Sequence, residues 1–374
     1  MNTNHQPCRH ADLTAAALRS CLHVLLSAVV VSSAFCSDNP QASGPSSDSH
    51  DEITGVLSEL KAVSLDQPAV RQLGGKDRFH VYDGNPILSP GQHGQWDAGA
   101  IGSMTVALVD GIFHMYYEAW GVSDTSAAGV DYSLLQIGHA VSLDGVHWKK
   151  DPANPVIPKG GADEWDANGT WDPYIIHENG VFKLWYGGGI HPRCDWGYAE
   201  SKDGRHFVKR GQISQLHHVE DDHVVHDTVA GRYYMYYWDR QHEPRGLFRA
   251  ESKNETDFDF ANAVPLTIDD DTEHDMYKFT HVVREGNPWF MLYADFVRPS
   301  CAKSNTRLAM SDDGVQWKSV NRNLFDGHDA DVVRVGDSLY LAYYGPRGHF
   351  DQKDSDVRVA IFCGKLSDFA RNSD

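Results

Sequence analysis

The chain has 374 residues, and 52 acidic against 33 basic side chains give it a formal net charge of −19. That balance excludes a nucleic-acid partner, because phosphate contacts need clustered Lys and Arg to release counterions, and no basic stripe is present. The acidic residues are spread along the chain as a solvated surface, while 16 Tyr and 10 Trp supply flat side chains for strand packing or sugar stacking.

At the start, Leu22 to Ala34 form an apolar run preceded by Arg9 and Arg19 and followed by small residues. This is the layout of an export signal and is too short for a membrane span. Residues 1–36 are therefore read as a signal peptide and the mature protein as secreted or periplasmic. Ser33-Ala34-Phe35-Cys36 offers lipid anchoring as the weaker alternative, because a bulky Phe precedes the cysteine. Beyond the signal, Cys194, Cys301 and Cys363 are too far apart for a zinc spacing. An oxidising compartment permits one disulfide among them, with no pairing specified. Residues 37–76 read as a linker: Ser, Asp, Gly and Pro crowd 37–50, and a short helix is expected within 51–72.

From 77 to 374 one unit recurs five times: an apolar strand, a glycine turn, and a return strand dense in tyrosine. Its copies are Met104–Gly111 into Phe113–Tyr117, Asp172–Gly180 into Phe182–Tyr186, Val224–Gly231 into Tyr233–Tyr237, Thr280–Gly286 into Trp289–Tyr293, and Asp331–Gly336 into Leu339–Tyr343. A second signature follows most hairpins, a small-residue strand entering an Asp-Gly turn and then an aromatic, as in Ile137–Gly145 with Trp148 and Trp196–Gly204 with Phe207. Five such units without a convincing long helix predict an all-β fold, a single five-bladed β-propeller. The last copy lacks an outer strand. Phe79-His-Val-Tyr82 is expected to supply it and close the ring.

In a propeller blade the start of the innermost strand and the end of the second strand share one face, so side chains there converge on the axis. That face reads as carboxylate-rich: Asp97, then Asp172 beside Trp171, then Glu220, Asp221 and Asp222 before His223, then Asp275, Lys278 and His281, then His328, Asp329 and Asp331. Cleaving a glycosidic bond needs two carboxyl groups, one protonated and one ionised, and crowding acids on an axis raises the proton affinity of one of them. The loops after the second strands carry Arg193, Arg240, Arg245, Arg298 and Arg347, an arginine rim suited either to a carboxylate, sulfate or phosphate group on the substrate or to bridging the pocket aspartates.

The blade signature and Trp171-Asp172-Pro173 resemble the five-bladed propeller glycosidases, glycoside hydrolase family 43 and its relatives in families 32, 68, 117 and 130, over about residues 79–365. Carried over from family 43, the resemblance implies a base at Asp97, an orienting aspartate at Asp172 and an acid at Glu220, with Asp222 as the alternative acid. From family 117 it implies a histidine acid, for which His223 or His226 stands in place. Gly327-His328 resembles the blade-five pair that holds an axial calcium, so His328 is the candidate metal ligand, with no cofactor otherwise required. The expected function is an exported, exo-acting, inverting glycoside hydrolase on an oligo- or polysaccharide, Trp171, His223 and the arginines touching the sugar. The alternatives are a phosphorylase of the family 130 type and a carbohydrate-binding propeller without catalysis.

Overall fold

The computed structural model describes residues 47–122, 132–190, 193–214, 216–217, 219–239, 246–269, 276–285, 288–296, 304–345 and 356–371. Two helices lead in, where one was expected. α1 (Ser47–Leu60) begins inside the stretch read as unstructured, and its Val56 and Leu60 pack on Val141 of the first blade. α2 (Gln67–Gln72) is separate because Asp66 caps it, accepting Ala69 N–H at 2.8 Å, with Pro68 in the first turn. Among the described residues no helix is long and apolar enough to cross a membrane.

A short strand, β1 (His80–Val81), precedes blade one, which is β2 (Ala100–Val109), β3 (Ile112–Trp120), β4 (Gln136–Ser142) and β5 (Trp148–Lys150). Blade two is β6 (Thr170–Glu178), β7 (Val181–Ile190), β8 (Arg193–Ser201) and β9 (Val208–Gln212). Blade three is β10 (Val219–Asp227), β11 (Arg232–Asp239), β12 (Gly246–Ser252) and β13 (Val264–Pro265). In blade four, β14 (Thr267–Asp269) lies outermost and parallel to β18 (Gln316–Asp326), outside β15 (Met276–Arg284), β16 (Trp289–Phe296) and β17 (Ser304–Ser311). Blade five is β19 (His328–Val335), β20 (Leu339–Gly345) and β21 (Arg358–Cys363), followed by α3 (Leu366–Arg371). Its fourth strand is β1, with His80 opposite Ile361 and Val81 opposite Ala360, so the N-terminal strand closes the ring as expected.

Aromatic side chains of the second strands lock three blades to a turn of the next. Tyr116 of blade one donates its hydroxyl to Gly204 O at 2.8 Å, and Trp185 of blade two donates Nε1–H to Glu255 O at 2.8 Å. Tyr343 of blade five donates to Gly145 O at 3.0 Å, which carries the pattern across the closure. Two of the turns that receive these bonds, at Gly145 and Gly204, are Asp-Gly signatures, and the third is the Asn254-Glu255 turn. In the first, Asp144 Oδ1 accepts the N–H groups of Val146 and His147, both at 2.9 Å, and Gly145 takes φ 80°.

Around the axis a second belt joins the inner strands. Thr105 Oγ1 accepts Ile175 N–H at 3.3 Å, His223 Nε2 accepts Val282 N–H at 3.2 Å, and Asp331 Oδ2 accepts Val106 N–H at 2.5 Å. Each link runs from one inner strand to the next, so polar residues buried on the axis stitch the blades where backbone ladders cannot reach. Tyr174 lies over His223 with ring centroids 4.1 Å apart, and His281 pairs with Asp331.

Candidate active site

Every inner strand breaks register near its start. The breaks fall between Ile101 and Met104, Trp171 and Tyr174, Glu220 and His223, Phe279 and His281, and His328 and Asp331. Such bulges free a residue from the ladder and re-aim its side chain, and they gather beside active sites. The freed residues are Gly102-Ser103, Asp172-Pro173, Asp221-Asp222, Thr280 and Asp329-Ala330. Two of them, Asp172 and Asp329, take left-handed backbone at φ 42° and 50°. A non-glycine residue is seldom found there, and the cost is borne where surrounding contacts hold it.

Those contacts are well defined at Asp172. Ser103 Oγ of blade one donates to Asp172 Oδ1 at 2.8 Å, and Asp172 N–H donates to Glu118 Oε2 at 2.8 Å. Glu118 lies in the second strand of blade one, two residues before its end at Trp120, and is buried. Burial first, and then the charges of Asp172 and Asp329, push its pKa well above the ordinary glutamate range, against backbone bonds from Asp172 and Ser103 that act the other way. Asp329 completes the acidic group, and its Oδ2 lies 2.7 Å from His328 Nδ1.

The structure moves Asp97 out of this group. Asp97 is 2% exposed and pairs with Lys150 on the outer strand of its blade, beside Tyr117. Asp166 of blade two has the same surroundings: Lys209 at 2.6 Å, Tyr186 OH at 3.1 Å, and a loop closed by Gly160 N–H to Asp166 O at 3.1 Å, matching Gly91 to Asp97 at 3.0 Å. The two loops read Gln95-Trp-Asp-Ala and Glu164-Trp-Asp-Ala, so Asp97 is the counterpart of Asp166 and both clamp a loop. The counterpart of Asp172 in blade one is Ser103.

Other expectations also change. Trp171 is buried among Ala100, Trp120, Leu135 and Cys194 and forms wall rather than a stacking platform. His223 is fully buried in the axial belt, and burial followed by the neighbouring His281 holds it well below the usual histidine range, so it sits neutral beneath the rim. His226 lies toward the opposite end of its strand, with Nδ1 2.5 Å from Glu178. Among the described residues no group of three or more His, Cys, Asp or Glu is placed to hold a metal ion.

The bulge in β10 falls at Asp221 and Asp222, directly after the ladder-paired Glu220; the side chains of all three lie outside the described residues, as does that of Lys278. Arg193 begins β8, its side chain likewise outside them; Arg240, Arg245, Asp275, Arg298 and Arg347 lie wholly outside. Glu118, Ser103 and Gly102 are the functional candidates that sequence reasoning missed. The signal for Glu118 was its place one residue past Phe113–Tyr117, where the second strand returns to the axial face. For Ser103 it was the alignment of the two Trp-Asp-Ala loops.

No protein-family model matches the chain. An uncharacterized protein of Mycobacterium tuberculosis is 27% identical over 139 residues, 34% of this chain and 42% of that protein. A 1,2-β-oligomannan phosphorylase of Thermoanaerobacter sp. is 28% identical over 103 residues, 28% of this chain and 33% of that protein. The match thus spans less than half the length of either curated relative. A β-1,2-mannobiose phosphorylase from Listeria innocua superposes with a TM-score of 0.62 at 14% identity, over 78% of this chain and 98% of that one. A structure from the GH130 family of mannoside phosphorylases, described as containing glycoside hydrolases that target β-1,2 mannosidic linkages in Candida mannan, gives 0.60 at 18%, over 80% and 96%. The chain shares the five-bladed propeller of these glycoside-active proteins.

Proposed function

We propose that this protein is an exported enzyme that cleaves a glycosidic bond at the axial face, with β-1,2-linked mannosides as the first substrate class to test. The observation that carries the reading is Asp172, held left-handed on a bulge by two residues of the neighbouring blade. Its carboxylate accepts a hydrogen bond from Ser103, which fixes its direction as a base requires. The equivalent bulge one blade on is Asp221-Asp222, next to Glu220, and a carboxyl from the Glu220–Asp222 run is the acid. In hydrolysis Asp172 takes a proton from water as its oxygen attacks the anomeric carbon, while the acid gives a proton to the departing glycosidic oxygen. A central pit favours release from a chain end.

Phosphorolysis is the second reading, supported by the phosphorylase names of the Thermoanaerobacter and Listeria proteins. There phosphate attacks as an anion and needs no base, so the acid alone is essential. The experiment is incubation with β-1,2-mannobiose, and with neutral, uronic and sulfated oligosaccharides, in buffers with and without phosphate. Free mannose without phosphate supports hydrolysis; mannose 1-phosphate only in its presence supports the second reading. Binding without turnover of any member sinks both in favour of a carbohydrate-binding propeller.

A further inference from the structure

We propose that Glu118 is a positioning residue of this reaction: it holds the backbone of Asp172 in the left-handed region, so that the Asp172 carboxylate faces the axis. This rests on the reading that Asp172 reacts. Three observations converge on it. The Asp172 N–H donates to Glu118 Oε2 at 2.8 Å, which satisfies a group that the bulge removes from the β6–β7 ladder. Ser103, from the same blade as Glu118, fixes the other end of the residue through Oδ1 at 2.8 Å. The bulge of blade one also gives up a side chain to make room, since a Cβ on Gly102 would lie 1.9 Å from Glu118 Oε1.

Packing alone does not account for an acid here. A carboxyl buried against two further carboxylates is a poor way to fill a core, and an apolar residue of similar volume would cost the fold less. Acids kept in such surroundings cluster where a reacting group must be aimed. Burial and the neighbouring acids also keep Glu118 neutral above the ordinary glutamate range. When it ionises at higher pH it sets a second charge against Asp172 and disturbs the arrangement it supports.

The test uses the full chain and β-1,2-mannobiose, with and without phosphate, on Glu118→Ala, Glu118→Gln, Gly102→Ala and Asp172→Asn. Glu118→Ala and Gly102→Ala are expected to lower kcat by about 100-fold with little change in KM, the size of effect that misplacing a reacting group produces. Glu118→Gln keeps an acceptor for the Asp172 N–H and is expected to recover most of that loss. It cannot ionise, so its kcat loses the alkaline decline of the unaltered protein. If Glu118→Ala does not fold, Gly102→Ala and the pH profile of Glu118→Gln decide. Unaltered kcat in Gly102→Ala and an unaltered pH profile in Glu118→Gln, with Asp172→Asn inactive, overturn the inference and leave the reading standing. An active Asp172→Asn overturns the reading itself in the hydrolytic case, and absence of turnover by the unaltered protein overturns both.

Discussion

Asp97 and Asp166 occupy the same place in successive blades, each a buried carboxylate bound by a lysine of the outer strand and a tyrosine of the second. The lysines even sit alike over those tyrosines, Lys150 over Tyr117 and Lys209 over Tyr186, both 5.8 Å from the ring centroid. A role shared by two blades is a role in the fold. Asp97→Asn and Asp166→Asn are each expected to lower stability by about 2 kcal/mol, below the usual cost of breaking a fully buried pair because both lysines are partly exposed. Urea unfolding measures this, with turnover retained within about threefold. A base at Asp97 would show the opposite pattern, with stability kept and turnover lost.

Asp172 predicts a different separation. Asn adopts left-handed backbone at least as readily as Asp, so Asp172→Asn is expected to keep its melting temperature. Turnover without phosphate should fall by about 10² to 10⁴-fold, the range for a lost acid–base group. An anionic nucleophile needs no base, so a variant that recovers activity in phosphate identifies phosphorolysis. A large drop in melting temperature would instead make Asp172 a structural residue of the bulge.

The propeller was legible because its five hairpins repeat in local pattern, and the missing outer strand pointed to Phe79–Tyr82. The candidate site was legible in part. Asp172 stood out by its place at a strand start, whereas the pairing of Asp97 with Lys150 becomes readable only when the two Trp-Asp-Ala loops are aligned between blades. Glu118 escaped notice because a glutamate closing an aromatic strand reads as a solvated end, and only the neighbouring blade shows it buried against Asp172. The burial of Trp171 and His223 was not legible, because it depends on Ala100, Leu135 and Cys194 around the first and on Tyr174 and His281 around the second, contacts that no local pattern carries.

Tyr343 tests how the ring is closed. It is fully buried and bonds to Gly145 O across the junction of the last and first blades, at 3.0 Å. Tyr343→Phe keeps the ring's packing and leaves the carbonyl without that donor, at an expected cost of about 1–2 kcal/mol. Tyr116→Phe removes the matching latch to Gly204 between blades one and two. Equal losses in urea unfolding would mean that the closure is no weaker than any other blade junction. A much larger loss for Tyr343→Phe would locate the opening of the ring at the blade five to blade one seam.

Acid should attack the protein through a buried chain on blade one. His114 Nδ1 lies 3.0 Å from His139 Nε2, His139 Nδ1 lies 2.9 Å from Asp151 Oδ2, and Arg205 of blade two grips Asp151 at 2.6 and 2.7 Å. Burial, then His139 and His177, lower His114 to about 3. Burial acts to raise Asp151, but its bonds from His139 and Arg205 prevail and hold it below the usual carboxylate range. The signs follow. An unfolded His takes up a proton below its ordinary value near 6.5 while folded His114 does not, so the stability it contributes is complete above that pH and drains away as pH falls toward about 3. Asp151 is depressed as well, so its share is present above the ordinary aspartate value near 3.9 and fades below it. Unfolding free energy should therefore fall in two stages, the first set by histidine and the second by carboxylate. His114→Gln keeps a polar partner for His139 and removes one titration, so its stability should decline less between pH 6.5 and 4. An identical slope in both proteins across that window would remove His114 as the acid-sensitive group.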